Sequence, residues 1–220
     1  MIDTKQARER ILGRIRQAQG HAPNSTLAER EAIDSYLAAH PRGPQQHRVD
    51  DLVAQFMVQA ERMSSSVERL KTLAEVPAAA RRYLEQHKVE PVVVVTEELS
   101  LLDWQQAGIA SVCRVIEDAD LTAVTAAYAA IADTGTLTFL SSRATPASNN
   151  LLPENHIVVL RENQIAGAME DVFDRIRSER GELPRALNFV SGPSRTGDIE
   201  QTIVLGAHGP YRVHVLLVAS

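Results

Sequence analysis

The sequence predicts an α/β protein: a three-layer αβα parallel sheet of about six strands, preceded by an N-terminal helical extension over residues 1–48. Three observations carry this. Up to about residue 90, apolar residues recur at spacings of three and four, the mark of amphipathic helices. Beyond Lys88, short β-branched runs appear that read as strands buried on both faces. Those runs alternate with helical patterns, the grammar of a parallel sheet with right-handed crossovers.

Taken in order, Ala7, Ile11, Ile15 and Ala18 form one stripe on a first helix that Gly20 ends. Pro23 to Ser25 reads as a turn. Thr26 and Glu29 form a capping box that opens a second helix through about Leu37. The Pro/Gly stretch 40–47 is a loop. Asp50 or Asp51 caps a third helix with Leu52, Phe56, Ala60 and Met63 on one face, opening the second domain, 49–220. The serines 64–66 read as a joint, and Pro77 sits in the first turn of a fourth helix. Strands are expected at 92–96, 111–116, 136–140, 156–160, 186–190 and 213–218, with helices at 98–107, 120–131, 164–180 and 196–205. In such a sheet ligands bind at the carboxyl ends of the strands, so the loops after 96, 116, 140, 160 and 190 are the places to inspect.

Composition excludes several chemistries. The one cysteine, Cys113, permits neither an intrachain disulfide nor a Cys-ligated iron–sulfur cluster. The only lysines are Lys5, Lys71 and Lys88, so nothing later can form a Schiff base or serve a P-loop. A net charge of −5 gives no basic bias for nucleic acid. No apolar run reaches membrane-spanning length, and the charged N-terminus lacks a signal-peptide core, so a cytoplasmic location is expected. No histidine pair has zincin spacing, and no metal site is expected.

Four stretches could carry chemistry. The first, 191–200, follows a strand and precedes the expected helix at 196–205. Ser191, Gly192, Ser194 and Thr196 bring backbone N–H groups close to an anion, and Arg195 offers a bidentate contact. The plainer reading is a cap at Thr196, with Asp198 and Glu200 favouring the helix dipole. The second, 132–137, holds Asp133, Thr134, Gly135 and Thr136. A lone Asp-Thr-Gly in an α/β context is not an aspartic protease, and the P-type ATPase lysine is missing. Asp133 is a candidate acid/base, and the competing reading is a glycine turn. The third, 205–215, places His208 in a Gly/Pro turn with Gly209, a candidate general acid/base, whereas His214 reads as packed within a strand. The fourth is the long polar connection 141–156, with Arg143, Ser148, Asn149 and Asn150 as candidate contacts. Glu97 and Glu98, just past the first expected strand, read as a possible base or as first-turn acids.

The stretches ADTGTL (132–137), LLPENHI (151–157) and SGPSRTGDIEQTIVLGAHGP (191–210) together resemble the LUD domain family, in its lactate-utilization protein C branch. The resemblance covers about residues 50–220. It implies a fold similar to ribose-5-phosphate isomerase, glucosamine-6-phosphate deaminase and the CoA transferases. It also implies a place in a three-protein system that oxidises L-lactate to pyruvate. There the iron–sulfur clusters belong to two partner proteins, and this component has no cofactor of its own. The alternatives are a stand-alone enzyme or binder for a small anionic metabolite (carboxylate, sugar phosphate or CoA ester), and motifs that only specify turns and packing.

Overall fold

The computed structural model describes residues 4–20, 25–44, 50–199 and 202–220, with 198–199 and 202–203 described by backbone alone. The turn expected at 23–25 and the end of the loop expected at 40–47 fall partly outside them. The chain divides into two compact units, Met1–Gln45 and Gln46–Ser220. The first holds α1 (Lys5–Ala18) and α2 (Leu27–Ala39), neither with a buried side chain. The Thr26 hydroxyl accepts from the Glu29 N–H at 3.2 Å, and the Glu29 carboxylate accepts from the Thr26 N–H, the reciprocal cap that the sequence spells.

In the second unit, Asp51 caps α3 (Leu52–Arg62) through the Ala54 N–H at 2.9 Å, and Phe56 and Ala60 are wholly buried. The chain then turns at Ser64, whose φ is +68°, directly into β1 (Ser66–Leu70). A strand therefore starts where a joint was expected. Its sequence SVERL is mostly polar because β1 is a sheet edge and only Leu70 is buried along it. Next come α4 (Val76–Gln86), with Pro77 at its start, and β2 (Val92–Val95). The helix expected at 98–107 is a single 3₁₀ turn, Glu97–Leu99, followed by turns that bury Leu99, Trp104 and Ile109, with the Trp104 indole N–H donating to the Leu99 carbonyl. β3 (Ala110–Cys113) is the exposed opposite edge.

The helix expected at 120–131 is two strands, β4 (Thr122–Ala126) and β5 (Ala129–Ile131). Their alanines serve close packing between layers rather than helix propensity. β6 (Thr136–Leu140), the short helix α5 (Ser148–Leu151) and β7 (Asn155–Arg161) follow. After β8 (Ile165–Ala166) comes α6 (Met169–Arg180), so the helix expected from 164 starts five residues later. β9 (Leu187–Val190) leads into an antiparallel hairpin, β10 (Arg195–Ile199) and β11 (Thr202–Leu205), which replaces the helix expected at 196–205. β12 (Arg212–Val218) ends the fold.

The central sheet has six strands in the order β1-β12-β7-β4-β2-β3, and every pairing is parallel. The expected strands 136–140 and 186–190 instead join a second, four-stranded sheet, β8-β5-β6-β9, and β1 and β4 take their places. One face of the central sheet buries Val93, Val95, Ile157 and Leu216 against Ala80, Tyr83 and Leu84 of α4. The other packs Val158, Leu160 and Val215 against α3 and against Ala130, Leu137 and Phe139 of the second sheet. α6 covers the far face of that sheet through Val172 and Ile176. Among the described residues no helix is long and apolar enough to cross a membrane.

Candidate functional site

From β2 the chain moves outward to β3, whereas from β4 it moves the other way to β7. Adjacent strands whose connections leave in opposite directions spread apart at their carboxyl ends, and that is where open α/β sheets place ligands. A crevice of about 160 Å³ lies there, lined among others by Thr96, Glu98, Thr125, Tyr128, Asn150 and Arg180.

Thr96 directly follows β2. Its N–H donates to the Val124 carbonyl at 3.2 Å, while its hydroxyl is buried without a hydrogen-bond partner. Asn150, on α5, is 4% exposed, and its amide makes no hydrogen bond among the described residues. Gln164 holds the rim: its Nε2 donates to the Ala127 carbonyl at 3.2 Å and its Oε1 accepts from the Arg161 N–H at 2.8 Å. The Tyr128 hydroxyl donates to Glu179 at 2.8 Å, with Arg175 and Arg180 over its ring. Burial, then the Glu179 hydrogen bond and charge, push that phenol up to about 12, so it remains a donor. Beneath the floor, Thr125 Oγ1 and His156 Nε2 hydrogen-bond at 2.8 Å, and His156 Nδ1 has no partner. Burial pulls His156 down to about 3, so it is neutral at neutral pH.

The connection 141–156 walls the crevice. Thr145 and Asn150 face it, and Arg143 faces a neighbouring crevice of about 320 Å³ beside Glu97, Cys113 and Arg114. Asn149 is a staple: its Oδ1 accepts from the Ile116 N–H and its Nδ2 donates to the Arg114 carbonyl. Asp120 takes both Arg114 nitrogens at 2.6 and 2.8 Å, which holds its carboxyl below the usual range.

The motif residues gather elsewhere, at the opposite end of the second sheet and against the C-terminal half of α3. Asp133 accepts from Gln55 Nε2 at 3.1 Å. The hydroxyls of Thr134, Thr136 and Ser191 form a chain with two 2.7 Å links. Gly135, at φ +65°, lies so close to α3 that a Cβ would sit 2.3 Å from the Ala60 nitrogen. Gly192, at φ +78°, would put one 2.0 Å from the Met63 carbonyl oxygen. Arg195 donates to the Ser64 hydroxyl. The Ser194 N–H donates to the Pro210 carbonyl, which brings the Gly209 turn alongside. His208 is exposed in that turn.

The structure thus joins Asp133, Thr134, Gly135, Thr136, Ser191, Gly192, Ser194, Arg195 and Gly209 on one surface. It does not give them a helix N-terminus: Arg195–Ile199 is a strand, so neither the helix dipole expected to favour an anion nor the plainer reading of Thr196 as a helix cap holds. Glu200 and the side chain of Asp198 lie outside the described residues. Thr96, Tyr128, Gln164 and Arg180 carry no motif in the sequence, although Thr96 opens one of the strand-end loops at which such sheets bind ligands. Among the described residues no group of three or more His, Cys, Asp or Glu could hold a metal ion.

The family model for the LUD domain matches residues 53–218. The chain belongs to the LUD domain family. Relatives named lactate utilization protein C align with it from Halalkalibacterium halodurans, at 25% identity over 97% of this chain and 98% of that one, and from Bacillus pumilus, at 26% over 99% of each. Another with that name, from Shouchella clausii, is 36% identical over 48% of each chain, so that alignment spans about half of the relative. A crystal structure of a DUF162 family protein from Deinococcus radiodurans shares the fold, with a TM-score of 0.61 and 23% identity, covering 79% of this chain and 99% of that one.

Proposed function

We propose that this LUD protein works in lactate utilization, as the component without cluster ligands of an iron–sulfur system that oxidises L-lactate to pyruvate. The observation that carries the reading is the near end-to-end similarity to relatives named lactate utilization protein C. A single cysteine, exposed at an edge strand, cannot ligate a cluster, so in this reading two iron–sulfur partner proteins carry the electrons. The test is anaerobic reconstitution with those partners and measurement of lactate-dependent dye reduction. Omitting this protein should abolish most of the rate. An unchanged rate together with no complex formation would overturn the reading.

A second reading, a stand-alone enzyme or binder for a small anionic metabolite, draws on the carboxyl-end crevice. Its volume of about 160 Å³ is room for a three-carbon acid. Thermal shift separates the two: a ligand at a hundredfold excess over its Kd should stabilise the isolated protein by about 2.7 kcal/mol.

A further inference from the structure

We infer that the crevice at the carboxyl ends of β2 and β4 is a binding site for a short 2-hydroxycarboxylate, read at its hydroxyl by Glu98 and at its carboxylate by Arg180. The class follows from the groups present. Arg180 lines one side; its guanidinium lies over the Tyr128 ring, 5.6 Å from the centroid, and makes no ion pair among the described residues, which leaves its N–H edge for a carboxylate. Glu98 lines the same crevice and, when ionised, only accepts hydrogen bonds. A ligand that suits both is an anion at one end and a hydroxyl donor at the other. The oxygen of a 2-oxo acid would turn lone pairs toward Glu98. A phosphate would meet one arginine against Glu98 and the nearby Glu179.

The buried Thr96 hydroxyl and Asn150 amide argue that something polar belongs there. Both residues are more than nine-tenths buried and line the crevice; the Thr96 hydroxyl is a buried orphan, and the Asn150 amide makes no hydrogen bond among the described residues and opens to the crevice. Buried polar groups are nearly always paired, so such orphans mark a place where a partner enters. Thr96 offers a hydroxyl and the Asn150 amide two donors and an acceptor, which can pair with the ligand's carboxylate and hydroxyl oxygens beside the two charged groups.

The chemical class stands on the crevice alone; L-lactate as its first member rests on the lactate-utilization reading. The test is isothermal titration of the full chain with L-lactate, pyruvate, propionate and inorganic phosphate, repeated on Glu98→Gln and Asn150→Leu. L-lactate should bind about tenfold or more tighter than pyruvate, propionate or phosphate, the discrimination expected of a site built around a ligand hydroxyl. Glu98→Gln should bring lactate and pyruvate toward equal affinity, and Asn150→Leu should cost lactate about tenfold. Where Asn150→Leu does not fold by circular dichroism, Arg180→Met, at an exposed position, replaces it with the same expected loss. Equal binding of lactate and pyruvate by the native chain, or no binding of any of the four, would overturn the inference. If lactate does not bind but reconstituted dye reduction still needs this protein, the site fails and the system reading stands. Lactate binding with no effect on dye reduction gives the reverse.

Discussion

Lowering the pH from 7.5 to 5.0 should strip a large share of this protein's stability through two buried histidines. His156 is held down to about 3 by burial. His214 is held down to about 4, again chiefly by burial, with Glu68 and Ser66 opposing and His87 reinforcing. His214 stacks on Tyr83 at 4.2 Å, and its Nδ1 meets the Ser66 hydroxyl at 2.8 Å. Both folded pKa values lie below the ordinary value of 6.5, so in that window the unfolded chain binds more protons than the folded one. The stability these groups contribute is complete above pH 6.5 and is lost as pH falls toward the folded values. At pH 5.0 the drop is about 1.5 units below 6.5. At 1.36 kcal/mol per unit this costs about 2 kcal/mol for each histidine, or about 4 kcal/mol together. Against a typical total of 5–15 kcal/mol, that is a steep loss. Urea unfolding at pH 7.5, 6.5 and 5.0, at constant ionic strength, reads it directly. His156→Asn should lower stability throughout but halve the pH-dependent drop. Native-chain stability flat to within about 1 kcal/mol across this window, or a variant that keeps the whole drop, would refute the reasoning.

Other outcomes follow from the motif surface. Gly135→Ala and Gly192→Ala each force a left-handed φ on alanine and drive Cβ into backbone, that of α3 at Gln59 and Ala60 for the first and that of Met63 just past α3 for the second. Each should cost about 3 kcal/mol or more by urea unfolding, whereas Gly197→Ala, with open space around it, should change little. Thr136→Val breaks the middle of the hydroxyl chain and should cost about 1–2 kcal/mol, yet leave lactate affinity unchanged because the crevice lies at the other end of the second sheet. Leu84→Ala, in the core beneath the central sheet, should cost about 2–5 kcal/mol with the fold retained by circular dichroism.

What the sequence made legible follows the physics of local signals. Val92–Val95, Val158–Leu160 and Val213–Val218 are apolar runs whose period and β-branching are strong, and they are strands. The Thr26–Glu29 cap and the Asp51 cap are contacts within three residues, and both form. Misreadings occur where tertiary context decides. AVTAAYAAIA has the alanines of a helix, but two sheets pack through it, and small residues allow their close approach. SVERL hides a strand because an edge strand needs only one buried face. The Gly/Ser/Thr-rich stretch 191–200 reads as a loop before a helix, but from Arg195 to Ile199 it is a strand of a hairpin. Residues 133–136 and 191–195 meet against α3 and the residues just past it, with Gly209 beside Ser194. The crevice residues Thr96, Tyr128 and Arg180 come from three distant segments with no common motif, and only the strand order brings them together.

The most direct measurement is a crystal structure of the full chain grown in saturating L-lactate. Density for one lactate should lie between Thr96, Asn150, Glu98 and Arg180 at the carboxyl ends of β2 and β4. Lactate held instead by Ser191 and Arg195 beside α3, or an empty crevice in a protein that titration shows to bind lactate, would contradict it.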